Sequence, residues 1–143
     1  MTQKDKELLL IDLSARLPYG VICQIYDPQQ DYGEDIFDAR LINIDAWTSH
    51  CYFWGCSETD PYKIEQVKPY LRPMSSMTLE EIKYKLSTFF RVINTNIEGV
   101  GYVPTLNSIS ATEYVDWLNA NHFDYRGLIE KGIALEAPEG MYK

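Results

Sequence analysis

The side chains best suited to chemistry are grouped near the C-terminal end of the chain, where His122, Asp124, Tyr125 and Arg126 lie within five residues. An imidazole, a carboxylate, a phenol and a guanidinium can serve as general base, general acid and anion ligand when a fold brings them to one pocket. These four residues are therefore candidates for a small active site, and equally for a binding site.

The same segment also suits a structural role. Phe123 and Tyr125 flank Asp124, and two bulky rings are better suited to docking a chain than to admitting a substrate. In that interpretation the Asp124 carboxylate pairs with Arg72 or Arg126 and fixes the end of the last helix to an earlier connector. We expect this structural lock, with catalysis by the segment as the alternative.

A second candidate group lies in a proline-rich connector predicted over residues 68–77. Arg72 stands between Pro69 and Pro73, close to Tyr70, a combination that suits an anion or carboxylate clamp. The alternative is a rigid connector whose arginine pairs with a Glu or Asp. Tyr70 and Arg72 therefore join the four C-terminal residues as candidate binding residues.

Three cysteines and a neighbouring histidine bear on metal binding. Structural zinc sites carry closely spaced ligand pairs such as CxxC, whereas four residues separate Cys51 from Cys56. His50 and Cys51 are adjacent and would face opposite sides of a strand, which disfavours a catalytic pair. We expect these residues and Cys23 to be free thiols in or near a core. No metal and no cofactor are expected.

Oxygen-bearing residues from Asp27 to Asp38 have a spacing similar to that of a calcium loop. However, Tyr32 occupies the position that needs glycine, and the last ligand is Asp38 rather than Glu. We expect a solvated hairpin loop here, with calcium binding as the alternative.

The charge disfavours some classes of partner. The 143 residues contain 13 Lys and Arg against 21 Asp and Glu, and residues 27–60 hold eight acids against Arg40 alone. Such a chain is a poor ligand for phosphate backbones and anionic lipids. We expect a protein partner, no membrane and little non-specific nucleic-acid binding; the oligomeric state stays open. The odd number of cysteines and the polar N-terminus favour a cytoplasmic location.

Hydrophobic periodicity predicts an α+β chain that forms a single domain over 1–143. The first part, 1–18, is an N-terminal helix. The second, 19–72, has short alternating runs that predict a small antiparallel β-meander or an SH3-like partly closed barrel. The third, 73–143, is a helical part with an irregular tail.

Three helices are predicted in more detail. The helix over 4–17 has its leucines on one face, with Asp12 and Arg16 largely elsewhere. A capping box at Thr78 opens a helix over about 79–95, and a second box opens one over about 111–121.

Both ends of the chain and the connector resemble a family of small uncharacterised proteins of anaerobic gut bacteria, their prophages and their mobile elements. The resemblance rests on residues 16–21 (RLPYGV), 68–78 (KPYLRPMSSMT), 116–119 (DWLN), 121–129 (NHFDYRGLI) and 136–142 (EAPEGMY). It implies a phage or mobile-element context and transfers no catalytic residue.

Together these features predict a non-enzymatic protein-binding or accessory module of phage or mobile-element type. The motifs of phosphate-binding loops, dinucleotide folds, zinc proteases and serine hydrolases do not occur. The alternative is a small enzyme that uses the His122, Asp124, Tyr125 and Arg126 group.

Overall fold

The computed structural model describes residues 1–30, 33–94, 102–106 and 108–142, and it has the predicted α+β architecture. The helices are α1 (Gln3–Arg16), α2 (Leu79–Thr88) and α3 (Ser108–Ala120). The strands are β1 (Ile22–Gln30), β2 (Gly33–Asp45), β3 (His50–Phe53), β4 (Tyr62–Lys63), β5 (Val67–Leu71), β6 (Phe90–Asn94), β7 (Tyr102–Leu106) and β8 (Leu135–Glu136).

Six strands form one sheet in the order β4-β3-β2-β1-β5-β8. The first four strands in the chain make an antiparallel meander, and β5 returns to pair with the free side of β1. Only β8 runs parallel to its neighbour, β5. The predicted meander is confirmed, whereas the barrel alternative is wrong, because the sheet stays open with β4 and β8 at its edges.

The core lies between one face of this sheet and α1. Leu9 and Leu13 of α1 are fully buried against a sheet face that includes Val21, Cys23 and Ile25, which alternate along the start of β1. Leu128 and Ile133, from the chain after α3, close the same core. Burial of these apolar side chains is the main stabilising contribution to the fold.

Helix α1 is confirmed, but its buried face differs from the predicted one. A capping box between Thr2 and Asp5 opens the helix, and Arg16 ends it before a 3-10 turn that contains Pro18. Asp12 and Arg16 lie on the buried face and are fully buried. Residues 9, 12, 13 and 16 follow the spacing of one helical stripe. The prediction placed Asp12 and Arg16 outside the buried face because both are charged. Their burial is possible because each neutralises the other.

Helix α2 begins as predicted and ends earlier. Thr78 and Glu81 form the expected capping box, but the helix stops at Thr88 and the chain continues as β6. Strand β6 pairs with β7 in a separate hairpin. Val92 and Ile93, which are β-branched, favour this strand conformation over a longer helix. Helix α3 begins at Ser108, three residues before its predicted start.

Two predicted loops are partly strands. Residues 68–71 of the proposed connector belong to β5, where Lys68 and Pro69 pair with β1 and the next two residues pair with β8. Residues 27–30 continue β1 rather than turning, so the hairpin is longer than predicted. The rest of the proposed calcium loop includes residues 31 and 32, which lie outside the described residues. Strand β7 occupies 102–106, within the part predicted to be helical; residues 95–101 and 107 also lie outside the described residues.

Helices α2 and α3 meet through aromatic rings. Trp117 contacts Tyr84, Phe89 and Phe123 with ring centroids 5.8, 5.9 and 5.6 Å away. Trp117 is half-buried. The cluster joins α3 to the chain segment that follows it, and therefore helps to position residues 122–126.

Candidate functional site

The centre of the candidate site is a buried ion cluster that joins α1 to the segment after α3. Arg16 donates to both carboxylate oxygens of Asp12, through Nε at 2.7 Å and Nη2 at 3.0 Å. Its Nη2 also donates to the carbonyl of Phe123 at 2.8 Å. Arg126 adds a second cation, with its Nε 3.3 Å from the same carboxylate. Asp12 and Arg16 are both fully buried, so this cluster ties the two ends of the chain together.

Tyr125 lies between the two guanidinium groups of this cluster. The carbon at the centre of the Arg16 guanidinium is 5.6 Å from the ring centroid, and that of Arg126 is 4.8 Å away. Cations over an aromatic face are attracted by its quadrupole. The Tyr125 hydroxyl donates to Asn119 at 3.0 Å. These contacts fix Tyr125 as a packing residue of the cluster.

Asp124 stabilises a turn and does not form the predicted ion pair. Its two carboxylate oxygens accept hydrogen bonds from the amides of Leu128, at 2.8 Å, and Ile129, at 2.9 Å. The prediction that Asp124 pairs with Arg72 or Arg126 is wrong, because those arginines contact Glu81 and Asp12 instead. Amide donors that point at one carboxylate make a strong local cap.

The predicted lock does exist, but the backbone forms it. The amide of Arg72 donates to the carbonyl of His122, and the amide of Asp124 donates back to the carbonyl of Arg72, both at 2.8 Å. The Arg72 guanidinium is held by Glu81 through two bonds of 2.8 and 2.9 Å and lies 4.2 Å from the Phe123 ring centroid. The interpretation of Arg72 as an arginine paired with an acid is confirmed.

His122 is buried in an unusual conformation. It is 4 % exposed and has a φ of 58°, in the left-handed region. Its ring stacks on Tyr142 with centroids 3.8 Å apart. Burial, and then the charges of Arg16 and Arg72, lower the pKa of His122 to about 4. The imidazole is therefore neutral at pH 7.

Tyr142 anchors the C-terminal segment, which the sequence predicts as an irregular tail. Its hydroxyl donates to the carbonyl of Tyr70 at 2.7 Å and accepts from the amide of Ile22 at 3.1 Å. The hydroxyl thus bridges β1 and β5 one step beyond the Cys23–Pro69 pair of their ladder. Burial raises the pKa of Tyr142, so the hydroxyl stays protonated and keeps its donor.

Tyr70 faces the other side of the sheet from the core. Its hydroxyl donates to Asp38 at 3.0 Å and accepts from Gln24 at 3.1 Å. Burial and the Asp38 carboxylate raise the pKa of Tyr70. The side chain therefore links three strands on the outer face, and only its carbonyl reaches Tyr142.

Two adjoining cavities lie beside His122. The larger, of about 580 Å³, lies between the C-terminal segment and the start of α2. The smaller, of about 280 Å³, shares Arg72, Asn121, Met141 and Tyr142 with it and is also lined by Arg40 and His122. Of the six candidate residues, Arg72 and His122 line the smaller cavity, whereas Tyr70, Asp124, Tyr125 and Arg126 do not.

The sheet face opposite the core carries exposed apolar side chains. We use the term outer sheet face for the side of β1, β2 and β3 that presents Tyr26, Ile36, Ile42 and Trp54. Trp54 directly follows β3 and is 76 % exposed, and Ile36 is 58 % exposed. Tyr26 and Ile36 are paired across β1 and β2. Exposed apolar groups on a common face mark interaction surfaces more often than isolated ones do.

The cysteines are free thiols, as predicted. Cys23 and Cys51 are buried and Cys56 is partly buried. Burial raises the pKa of Cys51 to about 12 and that of Cys23 well above its usual value, so neither is a reactive thiolate at neutral pH. Within the described ranges, no three His, Cys, Asp or Glu side chains are grouped to hold a metal ion.

Several residues of the site were not found from the sequence. Asp12, Arg16 and Tyr142 were read as surface or terminal residues, and Arg40 was noted only for its charge. The i, i+4 spacing of Asp12 and Arg16 on the leucine face was the available signal. No local signal pointed to Tyr142, because its partners are 72 and 120 residues away in sequence.

Comparisons with known proteins add no relative: no family model, curated protein or solved structure matches this chain. Among the described residues, no helix has the length and apolar character needed to cross a membrane.

Proposed function

We propose that the protein is a non-enzymatic binding module that docks a partner protein on its outer sheet face. The observation that carries this proposal is the exposure of Trp54, at 76 %, on the same face as exposed Ile36 and Ile42. Large aromatic side chains dominate the energetics of protein interfaces when a partner covers them. Leaving such a ring in water has no stabilising role in the isolated fold.

The charge of the surrounding chain indicates the chemistry of the partner. The face is built mainly from residues 27–60, which carry eight acids against Arg40 alone. A polar row of Gln24, Tyr70 and Asp38 crosses the face between its apolar groups. We therefore expect a partner with an apolar contact surface surrounded by basic residues, whose association weakens as salt rises.

The contacts of the C-terminal segment favour binding over catalysis. Asp124 accepts two backbone amides, and Arg126 lies against the buried Asp12 carboxylate. Tyr125 is engaged by Asn119 and by two guanidinium groups. Three of the four side chains that the enzymatic alternative requires thus have structural partners. The sequence resemblance extends the proposal to an accessory role in a phage or mobile element.

A matched pair of tryptophan variants tests this function. Trp54→Ala removes the ring from the outer sheet face, whereas Trp47→Ala removes a 97 % exposed ring from the turn between β2 and β3. Pull-downs from the native host with mass spectrometry, followed by titration of each purified candidate, measure the effect. Loss of a central aromatic contact costs about 2 kcal/mol or more, roughly 30-fold in affinity.

The expected result is a partner that Trp47→Ala retains and Trp54→Ala loses, with unchanged melting temperatures for both variants. Equal binding by both variants and the wild type would place the partner elsewhere on the molecule and refute docking on the outer sheet face.

A further inference from the structure

The smaller cavity beside His122 has a charge that contrasts with the rest of the chain. The protein has a net charge of −8, yet this cavity is lined by Arg40 and Arg72 and by no carboxylate among the described residues. A concave site on which polar groups converge is a candidate site for a small ligand. The sign of the lining favours an anion.

Arg40 is the free cation of this cavity. Its guanidinium makes no hydrogen bond or ion pair with the described residues, whereas Glu81 neutralises Arg72 and Asp12 neutralises Arg16. Gly20, at a φ of 65°, lies against the Arg40 side chain, and a Cβ there would be 3.2 Å from its Cδ. The glycine therefore leaves room for the arginine stem to lie along the chain beside the cavity.

His122 supplies a second donor. Nδ1 of His122 and Nη1 of Arg16 are buried nitrogens without hydrogen-bond partners in the described part of the chain. A buried N–H without an acceptor is unfavourable, so the neutral ring is better placed with its proton on Nε2 than on Nδ1. Nε2 makes no hydrogen bond with the described residues and is not among the buried unpartnered nitrogens. It is thus the ring nitrogen open to the cavity that His122 lines.

The cavity surface is mostly polar, with a smaller apolar part from Ile22, Ala120 and Met141 beside the Tyr142 ring. Among the described lining residues, Arg40 is the cation without an internal counter-charge, and its side chain is exposed. A ligand with one negative charge is therefore sufficient to pair with it. A carboxylate is a monoanion at neutral pH and matches the fork of an arginine, whereas a phosphate dianion needs more positive charge.

We propose that this cavity is a binding site for a small organic monocarboxylate, held by Arg40 and His122. The site adjoins the outer sheet face, since Arg40 and Ile22 are paired two residues beyond Asp38 and Gln24 on that face, but it requires neither Trp54 nor Ile36.

Isothermal titration with pentanoate, using pentanamide as the uncharged isostere and inorganic phosphate as the competing anion, tests the proposal. Pentanoate should bind at least about tenfold more tightly than pentanamide, and more tightly than phosphate. Arg40→Gln should weaken pentanoate binding at least about tenfold, because a charge-assisted hydrogen-bonding group is lost. Arg40→Lys should weaken it less, since the charge remains without the fork.

Lys68→Gln is the matched control, because Lys68 is an exposed base on the same side of the sheet that does not line the cavity. Its affinity for pentanoate should stay within about twofold of the wild type, since Lys68 does not line the cavity and an exposed charge is screened by salt. An NMR titration adds an independent readout: saturating pentanoate should raise the pH midpoint of His122 in the wild type but not in Arg40→Gln. Equal affinity for pentanoate and pentanamide, tighter phosphate binding, or an unaffected Arg40→Gln would overturn the proposal.

Discussion

Replacing Asp12 by asparagine should destabilise the protein more than any surface charge change. Asp12→Asn keeps the shape of the side chain but removes the negative charge that Arg16 and Arg126 share. Arg16 would then be a fully buried cation whose remaining acceptors are an amide oxygen and the Phe123 carbonyl. Leaving one partner of a buried pair without its counter-charge typically costs 3–5 kcal/mol, so the free energy of unfolding should fall by about that amount.

Urea denaturation followed by circular dichroism and tryptophan fluorescence measures this loss. For a chain of this length, 3–5 kcal/mol corresponds to a fall in melting temperature of roughly 6–20 °C. Glu65→Gln is the control, because it breaks an ion pair that is open to solvent. The Glu65 side chain is 41 % exposed and that of its partner Lys6 is 32 % exposed. That variant should lose less than about 1 kcal/mol.

A double variant separates charge from packing. Asp12→Leu with Arg16→Met removes the main pair together and leaves Arg126, which is 27 % exposed, as the cation without its counter-charge. Most of the lost stability should therefore return. A loss under about 1 kcal/mol for Asp12→Asn would refute the reasoning that the pair is buried. A double variant no more stable than Asp12→Asn would show that packing, and not the uncompensated charge, accounts for the loss.

Two further predictions concern the segment after α3. Because the folded protein lowers the pKa of His122 to about 4, the unfolded chain binds more protons between about pH 6.5 and 4. The free energy of unfolding should therefore fall by about 3 kcal/mol as the pH drops through that window. Urea melts at several pH values and an NMR titration of His122 measure this fall. The control is His122→Asn, whose stability should depend less on pH. Asp124→Asn should cost about 1–3 kcal/mol at pH 7, since one oxygen that accepts the amide of Leu128 or Ile129 becomes a donor. Asp116→Asn, on the exposed side of α3, should stay within about 0.5 kcal/mol, and an equal effect of both changes would contradict the turn-capping role.

The sequence alone was sufficient for the elements whose signals are local. The capping box at Thr78 fixed the start of α2, and the leucine spacing of α1 fixed its position. Alternation along β1 and β2 predicted two strands of the antiparallel meander. These features depend on residues within one or two turns of each other, so the chemistry of neighbours determines them.

Tertiary contacts decided where local preferences competed. The end of α2 at Thr88 depends on the pairing of β6 with β7, which no short window of sequence reveals. Strand β5 contains Pro69, and the prolines around it suggested a connector; pairing with β1 at the middle of the sheet made it a strand. Register across a sheet is fixed by burial of one face, which is a property of the whole fold.

The candidate site likewise has some residues that the sequence predicts and others that only the tertiary structure reveals. Residue types alone marked Arg72 and His122 as candidate binding residues, and the structure places both at a cavity. Composition alone marked Arg40 as the single base of an acidic stretch. Only the folded structure showed that Asp12 and Arg16 are buried, and that Tyr142 stacks on His122. A charged side chain is expected at the surface until a counter-charge compensates its burial. Whether that partner is in place depends on how distant parts of the chain pack together.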